Sequence, residues 1–129
     1  KNCEYLLSRL WVNYQKKTQF NPIHDHFGVF SFVIWLTIPS SYTKELKVKF
    51  VKHSNSPSAS RFEFLYTDTL GLITTFDYKL DPSYEGTMLF FPAQLSHQVY
   101  PFFTSNKNRV SISGNIALNP DKTSPASLD

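Results

Sequence analysis

The feature that most constrains the fold is a succession of short segments rich in β-branched and aromatic residues. Polar clusters separate these segments at intervals of roughly ten residues, as in β-sandwiches and barrels. The chain has eight Pro and only four Gly, and it contains no internal repeat. About eight or nine strands in a chain this short must form two sheets or a closed barrel. We predict an all-β double-stranded β-helix, which is a cupin-like jelly roll.

The segments differ in how clearly their sequences indicate a strand. Residues 46–50 alternate Leu, Val and Phe with two lysines, which is the clearest period of two and predicts a strand with one solvent-exposed face. Residues 4–10 carry apolar side chains at near-helical spacing, which predicts either a short N-terminal helix or the lead into the first strand. The other predicted strands are 10–15, a segment starting near His24, 29–38, 61–66, 70–78, 87–91, 97–100 and Arg109–Leu118.

Length and composition predict one globular domain. The 129 residues suffice for a single core, which we expect over residues 10–118 of a domain that spans 1–129, with a polar tail at 119–129. The start at Lys1 predicts that a segment precedes it. The lone Cys3 cannot form an internal disulfide, and no secretory signal or membrane-length apolar stretch is present, so a cytoplasmic location is expected. The net charge of +3 names no partner.

Two histidines flank Asp25 at a predicted strand start, in the sequence His24-Asp25-His26. Alternate residues of a strand point to the same side, so a strand here places both imidazoles on one face and Asp25 on the other. Two imidazoles at this spacing can bind one iron, zinc or copper ion. The same pattern is equally typical of a pair of surface histidines near a turn.

A third imidazole, His97, follows the apolar segment 87–91 on another predicted strand. With His24 and His26 it can complete a facial set of metal ligands that leaves positions open for substrate or dioxygen. The fourth histidine, His53, lies in a serine-rich loop and is predicted to be exposed.

The last predicted strand has a wholly polar face, formed by Arg109, Ser111, Ser113 and Asn115. Such a face commonly meets solvent in a half-exposed antiparallel strand. Its closeness to His97 in the sequence opens a second interpretation, in which the face lies inside the barrel. An arginine there requires an anion, and its planar guanidinium suits a carboxylate, with the Ser111 hydroxyl as a second donor.

The order of these motifs resembles that of the iron(II)- and 2-oxoglutarate-dependent oxygenases. The matching elements are a strand, His24-x-His26, a long gap, Gly86-Thr-Met-Leu-Phe-Phe-Pro-Ala-Gln-Leu-Ser-His97, and Arg109-Val-Ser111. More narrowly, the chain is similar to oxygenases encoded in phage and marine bacterial genomes. The resemblance spans nearly the whole chain and implies the double-stranded β-helix.

The resemblance also implies the metal ligands. His24 and His97 match two of them, and His26 stands where the superfamily usually has an acid, although the narrower group carries His-x-His. An imidazole in place of the acid removes one negative charge, which weakens the binding of a dication. Asp25 is the alternative third ligand if the strand bulges at that point.

The cosubstrate residues follow from the same resemblance. Arg109 and Ser111 match the pair that holds the far carboxylate of 2-oxoglutarate, and Asn13 matches an asparagine that hydrogen-bonds the cosubstrate near the metal. Several aromatic residues are candidates for lining the substrate cavity, although core packing is the ordinary role of such rings. These are Trp11, Tyr14, Phe30, Trp35 and Tyr100.

The activity implied is that of an iron(II) dioxygenase which couples oxidative decarboxylation of 2-oxoglutarate to hydroxylation of a substrate C–H bond. The sequence does not name the substrate, and an amino-acid side chain of a protein, a modified base and a small metabolite are all candidates. The location implied is the cytoplasm, including that of a phage-infected host cell. Monomer and homodimer are both open, as is the catalytic competence of a three-imidazole site.

Three other functions are compatible with the sequence. The first is a cupin-like enzyme that binds metal through three histidines and does not use 2-oxoglutarate. The second is a jelly-roll structural or carbohydrate-binding module with incidental histidines. The third is nucleic-acid binding through the lysines around the predicted strand 46–50, although lysines more commonly protect a solvated strand edge. These lysines are Lys44, Lys47, Lys49 and Lys52.

Overall fold

The computed structural model describes residues 4–119, which form eight strands and three short helical elements. The strands are β1 (Tyr5–Gln15), β2 (Asn21–His24), β3 (Phe30–Thr37), β4 (Arg61–Thr67), β5 (Ile73–Lys79), β6 (Met88–Pro92), β7 (His97–Val99) and β8 (Arg109–Leu118). The helical elements are α1 (Tyr42–Glu45), α2 (Lys49–Lys52) and a 3-10 turn at Pro82–Tyr84. Residues 1–3, which include Cys3, and 120–129 of the predicted polar tail lie outside this range.

The strands form two four-stranded sheets with the orders β1-β8-β3-β6 and β2-β7-β4-β5. All strand pairs are antiparallel, and most neighbours in a sheet are distant in sequence, as in a jelly roll. The predicted all-β jelly-roll fold is therefore confirmed. No helix among residues 4–119 has the length and apolar character needed to cross a membrane.

Large aromatic and aliphatic side chains from both sheets fill the space between them. Their burial supplies the main free energy that holds the sheets together, at roughly 1.5–3 kcal/mol for each large side chain. This core is formed by Val33, Trp35, Ile38, Phe62, Phe64, Leu80 and Phe91.

Of the two alternatives predicted for residues 4–10, the lead into the first strand is correct and the helix is wrong, because β1 begins at Tyr5. The strand pairs with β8 along its whole length, and the register shifts between Leu7 and Arg9. This bulge inserts one extra residue, so that Leu7 and Leu10 fall on the same face although they are three positions apart. The bulge therefore explains why apolar residues at helix-like spacing in the sequence lie on one face of a strand.

The predicted strand at 46–50 is also wrong, because α1 and α2 occupy this region. The Glu45 carboxylate is completely buried and accepts hydrogen bonds from the backbone N–H groups of Phe103 (2.6 Å) and Thr104 (3.0 Å). Val51 is buried as well. These two buried anchors outweigh the local alternation. Lys44 lies in α1, Lys49 and Lys52 lie in α2, and Lys47 lies in the turn between the two helices, so these lysines are not on a sheet edge.

The surface of the β1-β8-β3-β6 sheet that faces away from the core is apolar across all four strands. We refer to it as the outer apolar face. It comprises Tyr5, Leu7, Leu10, Val12, Tyr14, Phe30, Phe32, Ile34, Met88, Phe90, Val110, Ile112, Gly114, Ile116 and Leu118, as assigned by the strand registers.

Candidate metal centre

Two of the three candidate ligands lie directly opposite each other on paired strands. His24 is the last residue of β2 and His97 the first of β7, and the two are register partners with ring centroids 4.2 Å apart. His26 lies two residues beyond the end of β2. Its ring nevertheless lies on the same side as that of His24, as expected, with the two ring centroids 5.2 Å apart.

The loop that carries His26 is fixed at both ends by backbone hydrogen bonds. The His26 N–H donates to the carbonyl of Ala93 (2.8 Å), and the Val29 N–H donates to that of Ile116 (2.8 Å). Between them, Gly28 adopts a positive φ of 108°, and a Cβ there would lie 2.7 Å from the Ile116 carbonyl oxygen. Only glycine tolerates this close crossing, which directs His26 toward the other two imidazoles.

The three imidazoles form one compact cluster in which the potential ligand atoms all lie within 4.8 Å of one another. Nitrogen ligands at about 2.1 Å from a common ion are at most about 4.2 Å apart, so small side-chain rotations suffice for joint coordination. Asp25 and His53 are exposed and do not belong to the cluster.

Hydrogen bonds orient two of the three rings. Nδ1 of His24 lies 2.7 Å from the carbonyl oxygen of Pro22, and Nδ1 of His97 lies 2.9 Å from that of Leu95. Because a carbonyl can only accept, Nδ1 of each ring carries the hydrogen and Nε2 keeps a free lone pair. Metal-binding histidines are commonly oriented by such a bond.

The surroundings of His97 keep its imidazole neutral. Its ring stacks on Phe62 at 5.3 Å and contacts the edge of Phe91 at 5.1 Å, and the residue is 3% exposed. This burial lowers the pKa of His97 from 6.5 to about 4, against the opposing effect of its bond to Leu95. Burial, together with the nearby His24, also lowers the pKa of His26. Neutral imidazole is the form that binds metal.

This pKa predicts how stability depends on pH. Between pH 6.5 and 4 the unfolded chain holds a proton on His97 that the folded chain lacks, so the free energy of unfolding falls as the pH falls. The expected loss from pH 7 to pH 5 is about 2 kcal/mol for His97 alone. Urea unfolding of the metal-free protein measures it. A His97→Gln variant should lose clearly less, and an equal loss in both proteins would contradict the assignment.

The guanidinium of Arg109, at the start of β8, is buried and held by uncharged groups. Its Nη1 donates to Gln15 Oε1 (2.9 Å) and to the Tyr100 carbonyl (3.2 Å), and its Nη2 donates to Ser60 Oγ (2.7 Å). Burial lowers its pKa to about 10, which still leaves it charged at neutral pH. Its Nε is buried without a hydrogen-bond partner. None of these hydrogen-bond partners is charged, although the buried carboxylate of Glu45 opposes the effect of burial on the pKa of Arg109. The Nε–H stays an unused donor.

The polar face of β8 lies between the sheets, since Arg109, Ser113 and Asn115 are all buried. The interpretation that this face meets solvent is therefore wrong. Asn13 of β1 is the register partner of Ser111, and its Nδ2 lies 3.4 Å from Ser111 Oγ and 3.2 Å from Ser113 Oγ. Asn13 thereby stands between Arg109 and the histidines.

Two adjacent cavities lie along this polar face. The larger, about 410 Å³, is lined by Arg109, Ser111 and Trp35. The smaller, about 90 Å³, is lined by the three histidines and Ser113. Asn13, Asn21 and Val99 line both. The imidazole cluster therefore adjoins a chamber of the size that small-molecule ligands occupy.

Several residues at these cavities were not singled out from the sequence. Gln15 and Asn21 are the main ones. Gln15 could have been found from the sequence, because it follows Trp11 and Asn13 at alternate positions and therefore lies on the same face of the strand. Ser60 carries no comparable signal. Among the aromatic candidates, Trp11 and Trp35 line the cavities, whereas Tyr14 borders the larger cavity but belongs to the outer apolar face. Phe30 instead contacts Tyr5 and Phe90, and Tyr100 contacts Phe20 and Arg61.

The fold and the site together define an all-β jelly roll with a three-histidine candidate metal centre between its sheets. A family model described as putative 2OG-Fe(II) oxygenase matches residues 9–115, and the chain belongs to this family. None of the curated proteins matches the chain. The family implies iron(II) and 2-oxoglutarate, and the neutral imidazoles beside a buried arginine fit both.

Proposed function

We propose that the protein is an iron(II)- and 2-oxoglutarate-dependent dioxygenase that hydroxylates a C–H bond of its substrate. The observation that carries the proposal is the adjacency of the two cavities, which share Asn13, Asn21 and Val99 as lining residues and so place the imidazole cluster next to the chamber of Arg109. 2-Oxoglutarate suits both places. Its 2-oxo acid end would bind a metal held by the imidazoles, and the carboxylate at its other end would bind Arg109. Bound iron(II) would activate dioxygen, and 2-oxoglutarate would serve as the reductant that is converted to succinate and carbon dioxide.

In this proposal His24, His26 and His97 hold the iron. The Nε2 lone pairs of His24 and His97 face no competing donor, because Nδ1 of each ring donates to a backbone carbonyl. Burial disfavours protonation of His26 and His97. The aromatic residues packed on His97 exclude water from its side of the centre. The exposure of Asp25 favours His26 over Asp25 as the third ligand.

Arg109 and Ser111 bind the far carboxylate of 2-oxoglutarate. Arg109 lines the larger cavity and has only uncharged hydrogen-bond partners, so a carboxylate in that cavity would stabilise its buried charge. Gln15, Ser60 and the Tyr100 carbonyl fix the guanidinium before the ligand arrives, which limits the entropy lost on binding. Asn13 is positioned by Ser111 and Ser113 to contact the ligand between its two ends.

Charge balance supports joint binding of metal and cosubstrate. Three neutral imidazoles leave both positive charges of iron(II) uncompensated. The 2-oxo acid end of the dianion would offset one of them, while its far carboxylate would balance Arg109, inside a site of low dielectric constant. We therefore expect 2-oxoglutarate to tighten iron binding, and iron to tighten 2-oxoglutarate binding by the same factor. The cytoplasmic location and the substrate classes named from the sequence stay predictions.

Succinate production tests the proposal. The protein is incubated in air with iron(II), 2-oxoglutarate and ascorbate, which supplies the two electrons that the unidentified substrate would otherwise give. 2-Oxoglutarate and succinate are then quantified by mass spectrometry. We expect one succinate for each 2-oxoglutarate consumed, and none after the iron is chelated.

A second candidate is the cupin-like metalloenzyme that does not use 2-oxoglutarate. It is favoured by one observation, which is that the cluster contains three imidazoles and no carboxylate. If the metal-loaded protein consumes no 2-oxoglutarate, the oxygenase proposal fails and the cupin-like metalloenzyme becomes the better candidate. Protein that binds no metal would leave the structural jelly roll.

A further inference from the structure

Ser60, which immediately precedes β4, is completely buried and adopts a left-handed backbone with a φ of 45°. For a residue other than glycine this conformation is strained, because the Cβ crowds a backbone carbonyl. Such strain persists only where surrounding contacts hold it, and it is concentrated at functional sites. A glycine would adopt the same backbone without strain, so the serine side chain requires an explanation.

The hydrogen bonds of Ser60 fix both its backbone and its hydroxyl. The backbone N–H donates to the Pro101 carbonyl (2.7 Å), and the backbone carbonyl accepts from the Leu80 N–H (2.8 Å). The hydroxyl donates its one hydrogen to the Leu80 carbonyl (2.9 Å), so its oxygen meets Arg109 Nη2 (2.7 Å) as an acceptor. Leu80 therefore holds the hydroxyl in the orientation that a guanidinium donor requires.

The segment that binds the Ser60 N–H also contacts the guanidinium of Arg109. The Tyr100 carbonyl accepts from Nη1 (3.2 Å), and Cζ lies 4.9 Å from the centre of the buried Phe102 ring. Among residues 4–119, the Ser60 hydroxyl is the one hydrogen-bond partner of Nη2. Removal of this hydroxyl would thus leave the guanidinium charged and bonded through Nη1, but no longer fixed at Nη2.

We propose that Ser60 is a positioning residue for the cosubstrate, and that its strained backbone is retained because its hydroxyl must hold Nη2 of Arg109. The inference rests on the proposed function, in which Arg109 binds the far carboxylate of 2-oxoglutarate. A guanidinium that is already oriented loses less freedom when the carboxylate binds, so the hydroxyl raises affinity without touching the ligand. The fold gives up some stability at this position for a prepared binding site.

Replacement of Ser60 by glycine and by alanine separates positioning from stability, because both variants lack the hydroxyl but only alanine keeps the strain. Titration of manganese(II)-loaded protein with 2-oxoglutarate gives the affinity, and urea unfolding gives the stability. We expect both variants to bind about tenfold more weakly, as for the loss of one hydrogen bond, while Ser60→Gly is the more stable of the two. An affinity that follows stability, or a wild-type affinity in Ser60→Gly, would overturn the proposal.

Two controls show whether the hydroxyl acts through Arg109. Ser31 is also buried and its hydroxyl bonds to the Gly114 carbonyl (3.1 Å), but it lines neither cavity, so Ser31→Ala should lose stability and keep its affinity for 2-oxoglutarate. An equal loss of affinity in Ser31→Ala would overturn the proposal. In an Arg109→Leu background, Ser60→Gly should weaken binding no further, and additive losses would contradict the route through Arg109.

Nuclear magnetic resonance of the guanidinium N–H groups tests the same contact in the protein without metal or ligand. The Arg109 signals, identified by their loss in Arg109→Leu, are expected to exchange with water faster in Ser60→Gly than in the wild type. Equal exchange in the two proteins would overturn the proposal. A wild-type chain that binds no 2-oxoglutarate would instead overturn the proposed function, and the exchange rates would still decide whether Ser60 orients Arg109.

Discussion

Replacing His97 by alanine is expected to lower the affinity for iron(II) by at least about a hundredfold, since loss of groups that merely orient a ligand already costs 10- to 100-fold. The structural reason is the position of His97 opposite His24, with its Nδ1 bonded to Leu95 and its other nitrogen free for the metal. Anaerobic calorimetric titration with iron(II), or competition with a chromophoric chelator, measures the change.

The controls for this variant separate loss of a ligand from loss of the fold. His97 is packed among core rings, so alanine leaves a void, whereas His97→Gln retains much of the volume and should lose iron affinity with less damage to stability. His53→Ala and Asp25→Asn change exposed groups outside the cluster and should bind iron nearly as the wild type does. Unchanged iron affinity in folded His97→Gln would contradict the proposed metal centre, and a large loss in Asp25→Asn would move the third ligand to Asp25.

Replacing Arg109 by leucine is expected to weaken 2-oxoglutarate binding by about a hundredfold or more, with iron affinity in the absence of 2-oxoglutarate nearly unchanged. A charge-assisted bidentate contact is lost from a buried site, where each unmade bond to a charged group costs about 1.5–3 kcal/mol. Titration of metal-loaded protein with 2-oxoglutarate, using manganese(II) to prevent turnover, gives the affinity. The separate effects on cosubstrate and metal distinguish Arg109 from the histidines.

Two further variants sharpen the test of Arg109. Arg109→Lys keeps the charge but loses the planar fork, so its affinity for 2-oxoglutarate should lie between those of the wild type and the leucine variant. Arg61→Leu is the matched control, because Arg61 is also largely buried, stacked over Tyr100 at 4.7 Å and paired with Glu63 at 3.2 Å, but does not line either cavity. If Arg61→Leu and Arg109→Leu weaken 2-oxoglutarate binding equally, the effect is one of general stability and the assignment to Arg109 is wrong.

Strands that alternate cleanly and pair along their length were predictable from the sequence. The bounds of β8 agree with the prediction, because its polar and apolar faces are both used, one toward the cavities and one outward. The three imidazoles were also predictable as a set, since strand ends in a jelly roll bring residues distant in sequence to the same place.

Other features depend on contacts that no local pattern encodes. The bulge between Leu7 and Arg9 changed the phase of β1, and the buried Glu45 held residues 42–52 in helical turns against an alternating sequence. The approach of His26 depends on a glycine that crosses the backbone of Ile116. Arg109 is anchored by Ser60, whose side chain reaches it only because two remote segments meet in the fold.

Anaerobic addition of iron(II) and then 2-oxoglutarate, followed by visible absorption spectroscopy, tests the central claim most directly. The account predicts a metal-to-ligand charge-transfer band that appears only when both are present. It predicts that the band is absent in His97→Ala and requires much more 2-oxoglutarate in Arg109→Leu. Protein that binds iron but shows no such band with 2-oxoglutarate would contradict the account.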